Sequence, residues 1–240
     1  MGVQQRKQSV GPKFVDLWEG GLRLGPEQIQ GLSAILDDGE QQKAETFKFP
    51  AMRDRFIAVR GLLRQTLAHY LDVAPASLQF ETGAYGKPHL VCDSVYFNLS
   101  HCADKLIIAV ADFPDIGVDI EAIKPRSSLG GLARRCFSDR ELSKWRQLAP
   151  DRQLLDFYRL WTKKEAFVKA VGRGIALGME LCEFELEQGG QVLAIPDEYG
   201  LASAWRVTEL PVSADFSAAL VTRRCRFELR RREIVIASSG

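Results

Sequence analysis

Apolar and polar residues follow two rhythms along this chain. Over residues 53–71, RDRFIAVRGLLRQTLAHYL, the side chains Phe56, Val59, Leu63, Leu67 and Leu71 recur every three or four positions, which predicts a long helix. A second helical pattern covers FYRLWTKKEAFVKAVGRG, residues 157–174. At about 100° per residue, Phe157, Leu160, Trp161, Phe167, Val168 and Val171 share one face. Lys164 falls in the middle of that face, while Glu165 and Lys169 stand one turn apart along its border. Gly172 and Gly174 then suit a C-terminal cap. Shorter helices open at GPEQIQGLSAIL, with Pro26 in the first turn, and at SDRELSKWRQL, where Ser138 and Glu141 have capping-box spacing.

Between the helices the period shortens. FVDLWEG, SLQFET, VYFNLS and KLIIAVAD read as strands in the first half, and GAYGKP between them is turn chemistry. FPDIG predicts a hairpin turn leading from KLIIAVAD into VDIE. CEFELE, QVLAI, ASAWRVTEL, FSAALVT and FELRRREIVIA read as strands in the second half. Each half is thus a long helix followed by strands, an α+β arrangement that suggests internal structural duplication. No low-complexity linker separates the halves, so they are expected to share an interface near residues 112–125.

Composition narrows the function without choosing it. The 240 residues carry 32 basic and 31 acidic side chains, a net charge of +1, so bulk attraction to nucleic acid is not expected. Arg223, Arg224, Arg226, Arg230, Arg231 and Arg232 gather near the end, as a solvated strand face or as a docking patch for an acidic partner. Cys92, Cys102, Cys136, Cys182 and Cys225 are odd in number, scattered and without CxxC, and read as free thiols of a cytoplasmic protein. His101 and Cys102 are neighbours on an extended run, so they point apart and form no Cys/His pair. The longest apolar run, LIIAVA, is too short to span a bilayer, and MGVQQRKQSV has neither a signal-peptide core nor a myristoylation pattern.

The chemistry concentrates in a few places. In GVDIE, Asp119 and Glu121 are two residues apart on an extended run, so they share a face while Val118 and Ile120 pack on the other. They are two solvated acids, or, if Glu165 joins them, part of an oxygen-donor site. Three carboxylates about 5 Å apart would repel by roughly 3 kcal/mol per pair at an effective dielectric near 20 and stay ionised together only around a cation. Mg²⁺ suits such a set. Lys87 stands on a tight turn before Pro88, and Ser100 and His101 end FNLSH, where they could reach an anion or be satisfied by backbone. Glu165 and Lys169 also form the favoured i,i+4 ion pair, worth about 0.2–0.5 kcal/mol. That pair leaves Lys164 unexplained: it snorkels or it meets an anion. GxxxxGK[ST], GxSxG and HExxH are absent, GRGIALG follows a helix rather than opening one, and three histidines leave little room for a histidine metal centre.

GKP, FNLSH, GVDIE and WTKKEAFVKAVGRG, in that order across residues 86–174, resemble the signature of the 4'-phosphopantetheinyl transferases. The likeness is to the larger monomeric, surfactin-synthetase-activating type, which serves peptide, polyketide and fatty-acid synthases. The resemblance implies two similar α/β subdomains related by pseudo-twofold symmetry, each a long helix on a small, mainly antiparallel sheet. They would divide as residues 1–115, contacting the nucleotide of coenzyme A, and 116–240, holding metal and pyrophosphate. It implies that Asp119, Glu121 and Glu165 hold Mg²⁺. Lys87, Ser100 and His101 would contact phosphates of the 3'-phosphoadenosine end, Lys169 would neutralise the pyrophosphate, and Lys164 would help to place it. QQKAETFKFPAMRDRF resembles the family's basic segment, making Lys43 and Arg55 candidate nucleotide contacts, although Glu40 stands where some relatives have a second lysine. The implied reaction moves phosphopantetheine from coenzyme A to a serine of an acyl or peptidyl carrier protein and releases adenosine 3',5'-bisphosphate. Glu165 would be its base or a metal ligand only. EAIKPRSSLGGLARRCFSDREL is a further candidate for carrier contact. The same lysines also fit a non-catalytic coenzyme A or nucleotide-binding module, which would need no carboxylate cluster. Another Mg²⁺-dependent phosphoryl transferase would fit the carboxylates but lacks its P-loop.

Overall fold

The structure, a computed structural model, describes residues 13–92, 94–187 and 189–235. The N-terminal segment MGVQQRKQSV and the last residues of FELRRREIVIA lie outside the described residues. The first half runs β1 (Phe14–Gly21), α1 (Pro26–Ser33), α2 (Asp38–Glu45), α3 (Pro50–Leu71), β2 (Phe80–Thr82), β3 (Pro88–Leu90), β4 (Tyr96–Cys102) and β5 (Lys105–Ala111). The second runs β6 (Ile116–Ala122), α4 (Leu129–Cys136), α5 (Asp139–Arg146), α6 (Pro150–Val171), β7 (Glu183–Phe184), β8 (Val192–Ala194), β9 (Trp205–Glu209) and β10 (Phe216–Arg223). A final strand, β11 (Glu228–Glu233), returns to the first half. The class is α+β, and each half carries one 22-residue helix, α3 or α6.

The larger sheet has the order β11-β1-β5-β4, and a second has β6-β10-β9. Strand β5 is buried on both faces, which is why LIIAVA is a continuous apolar run rather than an alternating one. Leu106, Ile108 and Val110 pack with Leu62, Leu63 and Leu67 of α3. Ile107, Ala109 and Ala111 instead meet Val15, Leu17, Val118 and Ile120. In the second half, Phe157, Leu160 and Phe167 of α6 bury against Trp205, Ala219 and Val221.

The hairpin expected between KLIIAVAD and VDIE does not form. Both edges of β5 are already paired, one with β1 and the other with β4. Strand β6 therefore pairs antiparallel with β10. It also lies beside β4, joined by side chains in place of a ladder. Val118 N–H donates to Asn98 Oδ1 (2.8 Å), Ser100 Oγ donates to Asp119 Oδ1 (2.8 Å), and Ala122 N–H donates to Cys102 Sγ (3.2 Å). The partners ascend together, so β4 and β6 run in the same direction where the two sheets meet. This places the expected interface at residues 116–122.

Two charged features are used inside the fold. Strand β11 pairs parallel with β1, and Arg230 and Arg232 both bind the buried Asp16, at 2.5 and 2.9 Å. Tyr70 also donates to Asp16, and Arg231 pairs with Glu19. Much of the arginine run is thus sheet closure. Helix α2, whose DGEQQKAE sequence shows no apolar period, is held by an Asp37 cap and by Glu40. The Glu40 carboxylate accepts from Arg60 and from the fully buried Arg64, so its place in the basic segment is structural.

Candidate active site

Strand β6 and helix α6 touch at Gly117. A Cβ added there would lie 2.0 Å from the Ala166 carbonyl oxygen and 2.4 Å from the Ala170 nitrogen, so the glycine of GVDIE permits the contact. One helical turn of α6, Glu165 to Lys169, is thereby laid against the Asp119–Glu121 face of β6.

Lys169 Nζ donates to Asp119 Oδ1 (2.7 Å), Ser100 Oγ (2.9 Å) and the Val118 carbonyl (3.3 Å). Ser100, from the first half, and Asp119 and Lys169, from the second, therefore meet in one triangle. Glu121 and Glu165 are half-buried beside it. Burial raises the Glu121 pKa, and Asp119 raises it further. Glu165 is raised by burial, then by Asp119, with Lys169 opposing and Glu121 adding. Asp119 is thus close enough to act on both glutamates, and Glu121 on Glu165. Val118 and Ile120 are buried on the opposite face.

His101 turns away from this triangle toward Arg55, whose Nη2 donates to His101 Nδ1 at 3.0 Å. Arg55 Nη1 also donates to the Ala103 carbonyl at 2.5 Å. Partial loss of water around the ring, then the charges of Arg55 and Lys169, lower the His101 pKa. The neutral ring must accept at Nδ1, because a guanidinium only donates, so its proton sits on Nε2. Lys43 is exposed on the last turn of α2, with Nζ 5.8 Å from the Phe47 ring centroid. Lys87 Nζ donates to the carbonyls of Ile116 and Ala170, both at 3.0 Å, tying the GKP turn to the start of β6 and the end of α6. Burial lowers its pKa to about 8, with Asp115 opposing.

Lys164 does not join the site. Its side chain is 0% exposed, and Nζ lies 2.6 Å from Glu141 Oε2, itself 1% exposed. The amine also donates to the carbonyls of Met179 and Cys182, so its three donors are used. Glu141 is the capping-box residue of α5: its other contacts are the backbone N–H groups of Ser138 and Phe184. The greasy face tolerates the lysine because it meets an anion inside the fold, the Glu141 carboxylate, and does not snorkel.

Sequence reasoning missed Asn98 and Cys102. Cys102 Sγ, besides accepting from Ala122 N–H, donates to Glu121 Oε2 at 3.5 Å. The signal was the i, i+2, i+4 alternation of Asn98, Ser100 and Cys102, a polar stripe down one face of a partly buried strand.

Among the described residues, no group of three or more His, Cys, Asp or Glu side chains is arranged as a metal site, and Lys169 holds Asp119 Oδ1. The donor set nevertheless fits a divalent cation. Asp119 Oδ2 is buried and has no hydrogen-bond partner, an uncompensated carboxylate oxygen beside two further carboxylates.

Three carboxylates beside Lys169 and Ser100, gathered where the two halves meet, are the kind of side-chain set that suits phosphoryl transfer. The sequence profile of the 4'-phosphopantetheinyl transferase superfamily matches residues 115–221. The chain is 38% identical over 200 residues to the 4'-phosphopantetheinyl transferase HetI of Nostoc sp., covering 82% of each chain. It is 34% identical over 173 residues to the 4'-phosphopantetheinyl transferase psf-1 of Bacillus pumilus, covering 71% of this chain and 73% of the relative. With the 4'-phosphopantetheinyl transferase Sfp of Bacillus subtilis it shares 30% identity over 178 residues, 73% and 78% of the two chains. The chain belongs to the 4'-phosphopantetheinyl transferase family. It is an enzyme that transfers the 4'-phosphopantetheine group from coenzyme A to a carrier protein.

Proposed function

We propose that Asp119, Glu121 and Glu165 hold Mg²⁺ in a cleft between residues 1–115 and 116–240, and that coenzyme A binds across it. The observation that carries this reading is the orphaned Asp119 Oδ2 inside a carboxylate cluster. When bound, Mg²⁺ supplies a Lewis acid for the pyrophosphate oxygens. Lys169 and Ser100, both bonded to Asp119, would present their amine and hydroxyl to the pyrophosphate. Arg55 and neutral His101 present donors to the 3'-phosphoadenosine end, with the exposed Lys43 and the part-buried Lys87 as further contacts.

In the reaction, the hydroxyl oxygen of a carrier serine bonds to the β-phosphorus of coenzyme A. The bond from that phosphorus to the bridging oxygen breaks, and adenosine 3',5'-bisphosphate leaves with the electron pair. Glu165, raised in pKa by burial and by Asp119, takes the serine proton directly or through one water. Lys169 offsets charge on the departing phosphate. The protein is proposed to work as a cytoplasmic monomer, in keeping with its five free thiols. No helix among the described residues is long and apolar enough to cross a membrane.

The metal reading is tested by chelation. EDTA should stop transfer, Mg²⁺ should restore it, and Asp119→Asn should need at least tenfold more Mg²⁺ for half-maximal rate. Full activity in EDTA, or an unchanged Mg²⁺ requirement in Asp119→Asn, would overturn it.

A further inference from the structure

We propose that Cys102 is a positioning residue that fixes the Glu121 carboxylate for metal binding. This rests on the metal reading above. Cys102 is the last residue of β4, in the sheet of the first half, while Glu121 is on β6 in the second. One sulfur makes two bonds across that boundary. It accepts the Ala122 N–H at 3.2 Å and directs its own S–H at Glu121 Oε2, 3.5 Å away. The first bond sets the height of β6 against β4; the second removes rotation from the carboxylate of the adjoining residue. Asn98 and Ser100 make the corresponding bonds to Val118 and Asp119, four and two residues earlier respectively. Cys102 is thus the end of a three-rung series that places both β6 acids.

Glu121 needs such help more than Asp119 does. Asp119 is already held by Ser100 and Lys169, whereas the thiol is the hydrogen-bond partner that the described residues give Glu121. Loss of an outer partner of this type typically lowers metal affinity by about 10–100-fold.

The test measures Mn²⁺ binding by the loss of free-ion EPR signal, with saturating coenzyme A and no carrier protein. Cys102→Ala should weaken Mn²⁺ at least tenfold while its melting temperature stays native. Cys102→Ser, which keeps a donor, should remain within about threefold of the unaltered chain. Binding by Cys102→Ala within twofold of the unaltered chain would overturn the proposal, as would a serine variant as weak as the alanine one. Failure of the unaltered chain to bind Mn²⁺ at all would instead remove the metal reading. Should Cys102→Ala not fold, the unaltered chain still decides. Alkylation of Cys102 by iodoacetamide, followed by peptide mass spectrometry, should be at least fivefold slower with coenzyme A and Mn²⁺ than with coenzyme A and EDTA. Equal rates would contradict the role.

Discussion

Replacing Lys164 by methionine separates a structural lysine from a substrate contact. At 2.6 Å and an effective dielectric near 20, the attraction between Lys164 and Glu141 is about 6 kcal/mol. Burying both charges offsets most of it, and burial lowers the Lys164 pKa while raising that of Glu141. The net worth of the pair is therefore modest, but removing one partner strands the other. Lys164→Met should cost about 3–5 kcal/mol, the range for breaking a buried pair. For a chain of this size that is a fall in Tm of about 6–20 °C. Adding Glu141→Gln should recover much of the loss, since no uncompensated carboxylate remains. Calorimetry of the single and double variants reads the stability, and initial rates read the KM for coenzyme A, which should change less than threefold. A Lys164→Met protein that melts within 2 °C of the parent, with KM raised tenfold or more, would refute the reasoning and return Lys164 to the phosphates.

Three other outcomes follow from the same geometry. Glu165→Gln should abolish transfer yet fold with equal or slightly higher stability, because it relieves repulsion with Asp119 and Glu121; full activity would misplace the base and the metal. Gly117→Ala should cost at least about 3 kcal/mol, since its methyl would overlap the α6 backbone, and an unaltered denaturation midpoint would contradict the close packing. Lys87 has a folded pKa of about 8 against 10.5 unfolded, so between those values the unfolded chain binds the extra proton. Stability should therefore rise with pH across that window in the parent relative to Lys87→Met, and parallel melting curves from pH 7.5 to 10 would remove the burial of that amine.

The long helices and β5 were legible because their apolar periods coincide with how they are buried. Helix α2 was not, since it forms around Glu40 and its arginines rather than around an apolar stripe. The β5–β6 hairpin failed as an expectation because local turn chemistry says nothing about which strand edges are taken. In the site, the period-two spacing of Asp119 and Glu121 and the one-turn spacing of Glu165 and Lys169 gave the right faces. The approach of β6 to α6 depended on Gly117, and the bond from Ser100 to Asp119 on the meeting of two sheets. Neither can be read from spacing alone. Lys164 shows the opposite error: a buried cation resembles a ligand contact until Glu141, 23 residues earlier in the chain, is seen beside it.

The central claim is tested by incubating the enzyme with an apo carrier protein, coenzyme A and Mg²⁺ and weighing the carrier by intact mass spectrometry. The account predicts a gain of one phosphopantetheine group on a serine, with adenosine 3',5'-bisphosphate released in equal amount, and no gain when Glu165→Gln replaces the parent. An unmodified carrier across acyl and peptidyl types, or modification that proceeds undiminished with Glu165→Gln, would contradict it.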